Sequence, residues 1–244
     1  GSSSITKSIS FFLPNQHIYQ THMLNKEALD SHLNFLKRKG LKFHQHIHNS
    51  LNLRKDIDIK NHQQWKVITL TRDPIARNIS AFFENIENIC PGVLSKNINH
   101  VDISNLRNMF FDKYNHDIAI NWFVREIVNV FDIDFSSFYF PKKQGYFIIQ
   151  KPVQLLIIRI EDLNHCHQNA FQEFLGIDNF DLYKMNEAKS KKYKELYKKF
   201  HEGLIIPDEY IRRMYNSWYA QYFYTAEELK TFASKYSASS SISL

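Results

Sequence analysis

The sequence predicts a three-layer α/β fold in which helices cover both faces of a central, mostly parallel sheet. Short apolar, strand-like runs alternate with segments of helical spacing along the chain. Residues 65–71 and 153–160 are rich in Val, Ile, Leu and Thr, as is typical of strands buried inside a parallel sheet. The 244 residues include only six glycines and six prolines, so each of these helps to mark where an element ends.

The periodicity of apolar residues places most of the elements. We predict strands at residues 17–22, 65–71, 147–150 and 153–160. We predict helices between Ile5 and Pro14 and at residues 25–39, 75–86, 118–130, 163–175, 189–200, 207–219 and 225–235. Residues 90–108 resemble a long irregular insertion. The chain shows no repeat and no linker, so we predict one domain over residues 1–236 and a frayed, Ser-rich tail at 237–244.

Composition narrows the class of ligand without naming it. The net charge of +6 and the pI near 9.1 favour anionic partners such as nucleotides, acidic glycans, nucleic acid or a membrane surface. Only two cysteines occur, which excludes a disulfide-dense scaffold. No apolar run approaches the ~20 residues of a membrane span, and no signal peptide is evident. We therefore expect a cytoplasmic protein without a transmembrane segment.

The first candidate site is Gly1-Ser2-Ser3-Ser4, which leads into the first predicted helix. Backbone N–H groups at a helix start, together with serine hydroxyls, form a site suited to phosphate or sulfate. A flexible terminus without a ligand explains the same residues equally well.

The second candidate site follows the predicted strand at 65–71. Arg72 lies at the carboxyl end of that strand, where open α/β sheets bind ligands, and Ser80 lies two turns into the next helix. An arginine fork and a hydroxyl that converge on one point suit a phosphate monoester. The alternative is structural: Arg72 pairs with Asp73 in the turn, and Arg77 is simply exposed.

The pattern Arg-Asp-Pro-x-x-Arg-x-x-Ser at residues 72–80 resembles the 3′-phosphate-binding motif of sulfotransferases. Residues 1–4 resemble the end of their 5′-phosphosulfate loop, and residues 159–163 also fit the family. More narrowly, residues 72–85 and 215–229 resemble a bacterial group of capsular polysaccharide synthesis proteins. The resemblance implies a P-loop-like fold of the sulfotransferase type. It also implies a first strand and a catalytic lysine upstream of Gly1.

This resemblance further implies a co-substrate, a set of ligands and an acceptor. The co-substrate is 3′-phosphoadenosine 5′-phosphosulfate, and the acceptor is a hydroxyl of a capsular or other surface polysaccharide. Arg72 and Ser80 are expected to hold the 3′-phosphate, while the Gly1–Ser4 segment donates to the 5′-phosphosulfate. Lys191 belongs to a basic cluster placed to reach the nucleotide phosphates, although a solvated helix face is the more common role of such a cluster.

Transfer needs a base that takes the proton of the acceptor hydroxyl. His22, at the end of a predicted strand, is the first candidate, and Glu84, one turn beyond Ser80, is the second. Either side chain is also compatible with a purely structural role. The alternation of His44, His46 and His48 suggests a strand face or a metal site, but no Cys or carboxylate completes a metal set. We expect no metal.

Two other functions fit parts of the sequence. Residues 1–8 match the P-loop pattern G-x-x-x-x-G-K-S except that Thr6 replaces the second glycine, which would make the protein a kinase or NTPase. The basic charge also fits a non-catalytic module that binds nucleic acid or glycans. However, acidic residues are interspersed with the basic ones and no nucleic-acid-binding motif occurs, so we expect no nucleic-acid partner.

Overall fold

The computed structural model of the chain describes residues 2–40, 42–58, 65–183 and 193–237. Over these residues the fold is mixed α/β, mostly helical, with a small three-stranded sheet. Contacts divide the chain into two compact units. The first unit comprises Gly1–Thr71 and Trp122–Met185, and the second comprises Arg72–Asn121 and Asn186–Leu244. The single domain over residues 1–236 stays a prediction, and the predicted tail beyond residue 237 lies outside the described residues.

The helices and strands follow in chain order. They are α1 (Ser2–Phe12), α2 (Lys26–Arg38), α3 (Gln45–Asp58), β1 (Lys66–Thr71), α4 (Pro74–Glu84), α5 (Ile86–Ile89), α6 (Ile103–Lys113), α7 (Ile118–Phe123), α8 (Asn129–Phe131), β2 (Tyr146–Ile149), β3 (Gln154–Arg159), α9 (Leu163–Leu175), α10 (Lys194–His201), α11 (Asp208–Tyr215), α12 (Trp218–Phe223) and α13 (Ala226–Ser234). A π-helical turn, Val124–Val128, joins α7 to α8. Short 3₁₀ turns occupy Val93–Ser95, Ile98–His100 and Phe135–Ser137.

The sheet belongs to the first unit and has the strand order β1-β3-β2. β1 pairs with β3 in parallel, with Lys66 opposite Gln154, whereas β2 pairs with β3 antiparallel. The three strands confirm the predicted ones to within one or two residues at each end. The sheet is mixed rather than mostly parallel because only four residues join β2 to β3, and a parallel crossover needs a dozen or more. The predicted three-layer, P-loop-like arrangement stays a prediction.

Buried apolar side chains explain why β3 is the central strand of this sheet. Residues 155–159 of β3 are all at most 2% exposed. Ile5 and Ile9 of α1 and Phe171 of α9 belong to one core cluster with β3, and Phe171 stacks on Phe180 with ring centroids 3.9 Å apart. Each side chain of this size contributes about 1.5–3 kcal/mol when it is fully buried. The core therefore fixes α1 and α9 against the sheet.

Two predicted strand segments are wrong. Residues 17–22 form no strand, because their polar groups are satisfied by side chains rather than by a neighbouring strand. The Asn49 side chain donates to the Gln20 carbonyl at 3.1 Å. The alternating histidines at 44–48 do not form a strand face, since α3 begins at Gln45 and buries Ile47 completely.

Two helix predictions also change. Part of the segment interpreted as an irregular insertion is helical, with α6 beginning at Ile103 behind the N-cap Asp102. The helix predicted over residues 207–219 is two helices, α11 and α12. The break occurs because Ser217 is an N-cap whose hydroxyl accepts a hydrogen bond from the Ala220 N–H at 3.2 Å.

A buried carboxylate fixes the segment that carries His22. Glu126 lies in the π-helical turn, is 1% exposed, and accepts hydrogen bonds from the backbone N–H groups of Leu24 at 2.5 Å and Asn25 at 2.8 Å. Arg125 pairs with the same carboxylate at 2.7 Å. The indole of Trp122 donates to the His22 carbonyl at 2.9 Å. The chain before α2 is therefore held by side chains from a distant segment of the first unit.

Candidate anion-binding site

The turn between β1 and α4 is built around Asp73. This residue is the N-cap of α4, and its buried carboxylate accepts hydrogen bonds from the Ile75 N–H at 2.9 Å and the Tyr215 hydroxyl at 3.1 Å. Pro74 follows at the first helical position, where a missing N–H costs nothing. Asp73 thus has a structural role. The alternative in which Arg72 pairs with Asp73 stays a prediction.

The backbone of Arg72 is held by Tyr219 of α12. The Arg72 N–H donates to the tyrosine hydroxyl at 2.9 Å, and that hydroxyl donates to the Arg72 carbonyl at 3.0 Å. The Arg72 side chain is half-buried. Among the residues that the structure describes, no carboxylate pairs with its guanidinium. Arg72 is therefore a fixed, partly desolvated positive charge without a described counter-ion.

The charge of Arg72 acts on His201, the last residue of α10. Burial lowers the pKa of His201, and the charges of Arg72 and Arg107 lower it further. Its Nε2 atom is buried and has no hydrogen-bond partner within the described part of the chain. The Arg107 guanidinium is already occupied, because it donates to the carbonyls of Phe200, at 2.9 Å, and Glu202. The arrangement leaves Arg72 and His201 able to bind an anion.

Two tyrosines complete the surroundings of Arg72. Burial raises the pKa of both Tyr197 and Tyr236, against the opposing effect of the Arg72 charge. Both hydroxyls are therefore neutral near pH 7 and available as hydrogen-bond donors. The Tyr197 ring also contacts the His201 ring, with centroids 4.5 Å apart. We call the residues Arg72, Tyr197, His201 and Tyr236 the Arg72 cluster.

The other predicted residues of the second unit lie on α4. Ser80 is half-buried, and its hydroxyl makes no hydrogen bond to any described residue. Glu84, one turn later, is exposed and accepts a hydrogen bond from the Tyr193 hydroxyl at 2.7 Å. Arg77 is half-buried and interacts with Tyr114, so the prediction that it is simply exposed is wrong. Arg72 and Ser80 thus belong to one unit, on either side of the first turns of α4.

Part of the candidate site lies within a match to a known protein family. Residues 94–225, just over half of the chain, match the NKWYS family, described as "Putative capsular polysaccharide synthesis protein". The chain belongs to the NKWYS family. The predicted resemblance to capsular polysaccharide synthesis proteins is thereby confirmed at the level of the family. No curated protein and no solved structure matches the chain.

The NKWYS match covers only part of the candidate site. It includes Tyr197, His201 and Tyr219, but the Arg-Asp-Pro motif at residues 72–80 precedes it. The assignment of Arg72 to the candidate site therefore rests on its geometry and on its own sequence pattern, independently of the family match.

In the first unit of this NKWYS protein, Ser2, Ser3 and Ser4 form the opening turn of α1. The predicted helix start is confirmed, although these serines are helical rather than in a loop. The Ser2 hydroxyl accepts a hydrogen bond from the Gln20 side chain at 3.0 Å. Gly1 and Lys191 lie outside the described residues. The exposed ring of His22 has its centroid 5.5 Å from that of His46, and its role as a base stays a prediction.

The geometry of α1 disfavours the P-loop kinase alternative. In a P-loop, the hydroxyl after the lysine binds magnesium. Here that position is Ser8, which is 2% exposed and accepts a hydrogen bond from the Tyr183 N–H at 2.6 Å. Lys7 lies over the Tyr183 ring, 5.6 Å from its centroid. Both residues are thus engaged in packing.

Two features are absent from the part of the chain that the structure describes. No group of three or more His, Cys, Asp or Glu side chains there is arranged to hold a metal ion. No helix in the same residues has the length and apolar character needed to span a bilayer.

Sequence reasoning missed His201 and Tyr236 as members of the site. Neither belongs to a recognisable motif, and they are about 130 and 160 residues from Arg72 along the chain. The spacing of Tyr197 and His201 places them on one face of a helix, which was the only available signal. Their proximity to Arg72 arises from packing within the second unit.

Proposed function

We propose that this protein is a sulfotransferase that transfers a sulfuryl group from 3′-phosphoadenosine 5′-phosphosulfate to a hydroxyl of a capsular or other surface polysaccharide. The observation that carries the proposal is the half-buried Arg72 guanidinium, which has no carboxylate partner among the described residues. Its charge lowers the pKa of His201, whose buried Nε2 atom has no described hydrogen-bond partner. Membership of the NKWYS family supports a role in capsular polysaccharide synthesis.

In this proposal, the Arg72 cluster and Ser80 bind the 3′-phosphate of the nucleotide. An arginine fork offers two parallel N–H groups to phosphate oxygens, and charge-assisted hydrogen bonds of this kind are about twice as strong as neutral ones. His201 and the tyrosine hydroxyls supply further donors. The positive end of α1 and the hydroxyls of residues 2–4 stabilise the 5′-phosphosulfate. The sequence pattern also assigns Lys191, which lies outside the described residues, to the nucleotide phosphates.

The proposed reaction is an in-line displacement at sulfur. The acceptor oxygen forms a bond to sulfur while the bond from sulfur to the bridging phosphate oxygen breaks, and adenosine 3′,5′-bisphosphate leaves. His22 accepts the proton of the acceptor hydroxyl. Glu84 is the weaker candidate for this role, because the Tyr193 hydroxyl already donates to its carboxylate at 2.7 Å.

A ligand screen by thermal shift tests the proposal. Adenosine 3′,5′-bisphosphate without metal is expected to raise the Tm by roughly 5–11 °C at about 100 times its Kd. ATP with magnesium is the matched control. Stabilisation by ATP and magnesium alone would identify a kinase or NTPase. Salt-sensitive binding of duplex DNA with no nucleotide effect would instead identify a non-catalytic module.

Nucleotide affinity is expected to increase as the pH falls. Burial and the charges of Arg72 and Arg107 hold the pKa of His201 below its ordinary value of 6.5, so its ring is neutral at pH 7 in the free protein. A bound phosphate favours the protonated ring, so binding takes up a proton at pH values between the lowered pKa of His201 in the free protein and its higher pKa in the complex. Once His201 is protonated in both states, the nucleotide affinity is higher by about tenfold for each unit by which the bound phosphate raises the pKa of His201.

Calorimetry in two buffers of different ionisation enthalpy measures this proton uptake. His201→Gln is the control, because the nucleotide phosphate titrates in the same pH range and does so in both proteins. The wild-type protein is expected to take up more protons than the variant. Equal uptake by both would contradict the role of His201.

A further inference from the structure

A shallow groove lies in the second unit, apart from the Arg72 cluster. Its volume is about 300 Å³, and it is lined by Asn216, Gln221, Ala226, Leu229 and Lys230. No member of the Arg72 cluster lines it. The volume is at the lower limit of small-molecule sites and suits a single sugar ring rather than a nucleotide. We call this feature the α12–α13 groove.

An aromatic surface adjoins this groove. Trp218 is 46% exposed, and it precedes Gln221 by three residues in α12, so the two side chains share one face of the helix. Tyr222 stacks against the Trp218 ring, with centroids 4.9 Å apart and planes inclined by 23°. Tyr219 and Phe223, by contrast, are buried. The structure thus places Tyr219 and Phe223 in the core and leaves Trp218, with Tyr222 stacked on it, as an exposed aromatic platform.

The polar residues of the groove suit a sugar with a negative charge. Asn216 and Gln221 carry amides, which both donate and accept hydrogen bonds as vicinal sugar hydroxyls require. The Gln221 side chain donates to the Tyr215 carbonyl at 2.8 Å, which fixes its orientation. Lys230 is exposed and forms no ion pair with any residue that the structure describes. Leu229, which is 1% exposed, provides an apolar base.

We propose that the α12–α13 groove binds an acidic saccharide unit. The apolar face of the sugar packs on Trp218, its hydroxyls bond to Asn216 and Gln221, and its carboxylate or sulfate pairs with Lys230. Binding at this groove requires no nucleotide. Only its further assignment, as the subsite that holds the acceptor glycan, rests on the proposed sulfotransferase function.

Calorimetric titration of the full chain with two oligosaccharides tests the proposal. A hexamer of galacturonic acid is the acidic probe, and a neutral galactose hexamer is the control. The acidic probe is expected to bind more tightly than the neutral one. Trp218→Ala is expected to weaken both about tenfold, since a lost aromatic platform costs about one order of magnitude.

The Lys230→Gln variant measures the contribution of the lysine charge to binding separately from that of the Trp218 ring. It is expected to weaken only the acidic probe, about 3–5-fold, as for an exposed ion pair, and to remove the salt dependence of its binding. Lys198→Gln, at another exposed lysine of the second unit, is the matched control and is expected to change neither affinity. Trp218→Phe is expected to recover part of the loss in Trp218→Ala.

Three results would overturn the proposal: no saccharide binding by the wild-type chain, unchanged affinity in a folded Trp218→Ala variant, or equal losses for both probes in Lys230→Gln. These results are independent of the nucleotide screen. Saccharide binding without adenosine 3′,5′-bisphosphate binding would refute the proposed transfer and leave the groove assignment intact. Binding of adenosine 3′,5′-bisphosphate without saccharide binding would refute the groove assignment and leave the proposed transfer intact.

Discussion

Replacing Arg72 with alanine is expected to weaken the binding of adenosine 3′,5′-bisphosphate by about 100-fold, which corresponds to about 3 kcal/mol. The variant loses the half-buried guanidinium, which forms no ion pair with a described residue. Arg72→Lys keeps the charge but not the planar fork, so a loss of about tenfold is expected. Isothermal titration calorimetry measures both.

The stability of the Arg72→Ala variant provides an internal check. The Tyr219 hydroxyl bonds to the backbone N–H and carbonyl of residue 72, so these hydrogen bonds survive the substitution. Removing the Arg72 guanidinium breaks no ion pair among the described residues, and the Tm of the free protein is therefore not expected to fall. Arg212→Ala, at an exposed position of α11, is the control and is expected to keep full affinity. Wild-type affinity in Arg72→Ala would refute the proposed nucleotide site.

The second large effect is expected for Tyr210→Phe, which breaks a buried network beneath α4. His116 Nε2 donates to the Phe110 carbonyl at 2.8 Å, so its Nδ1 atom must accept, and the Tyr210 hydroxyl donates to it at 2.8 Å. The Asn78 side chain donates to the same hydroxyl at 3.0 Å. Without the hydroxyl, an N–H of the Asn78 amide and the Nδ1 atom of His116 each lose a hydrogen-bond partner. Leaving these buried groups unsatisfied is expected to lower the free energy of unfolding by about 2–4 kcal/mol.

Urea denaturation followed by circular dichroism measures this loss. Tyr139→Phe is the matched control, because Tyr139 is 75% exposed and its substitution is expected to change the free energy of unfolding by less than about 0.5 kcal/mol. Asn78 lies two residues before Ser80, so Tyr210→Phe is also expected to weaken nucleotide binding through the position of α4. A Tyr210→Phe variant as stable as the wild type would show that the network contributes no net stability.

Local sequence signals were sufficient for several elements. The continuous apolar runs predicted β1 and β3 because a strand buried on both faces needs no polar alternation. The helix predicted over residues 163–175 ends at Gly176, which has a φ of 70°, a conformation that favours glycine. The Arg-Asp-Pro motif correctly predicted a strand followed by a helix, because Asp73 and Pro74 are an N-cap and a first helical residue.

Other elements depended on partners that are distant in sequence. Residues 17–22 have the alternation of a strand, but no strand lies beside them to accept their backbone hydrogen bonds, and side chains do so instead. His44 and His46 alternate likewise, yet the burial of Ile47 and Leu36 in one cluster favours helix over strand there. Periodicity over five or six residues is too short to distinguish these outcomes.

The sequence by itself determined the three strands, most helices and the candidate pair Arg72 and Ser80, because these depend on local periodicity, caps and one compact motif. The tertiary structure alone decided that His201, Tyr197 and Tyr236 lie close enough to Arg72 for its charge to affect their pKa, and that Trp218 is exposed while Tyr219 is buried. The physical reason is that the side chains of a charged site come from several segments that are distant in sequence. Their proximity is set by the packing of helices within a unit, which no short stretch of sequence encodes.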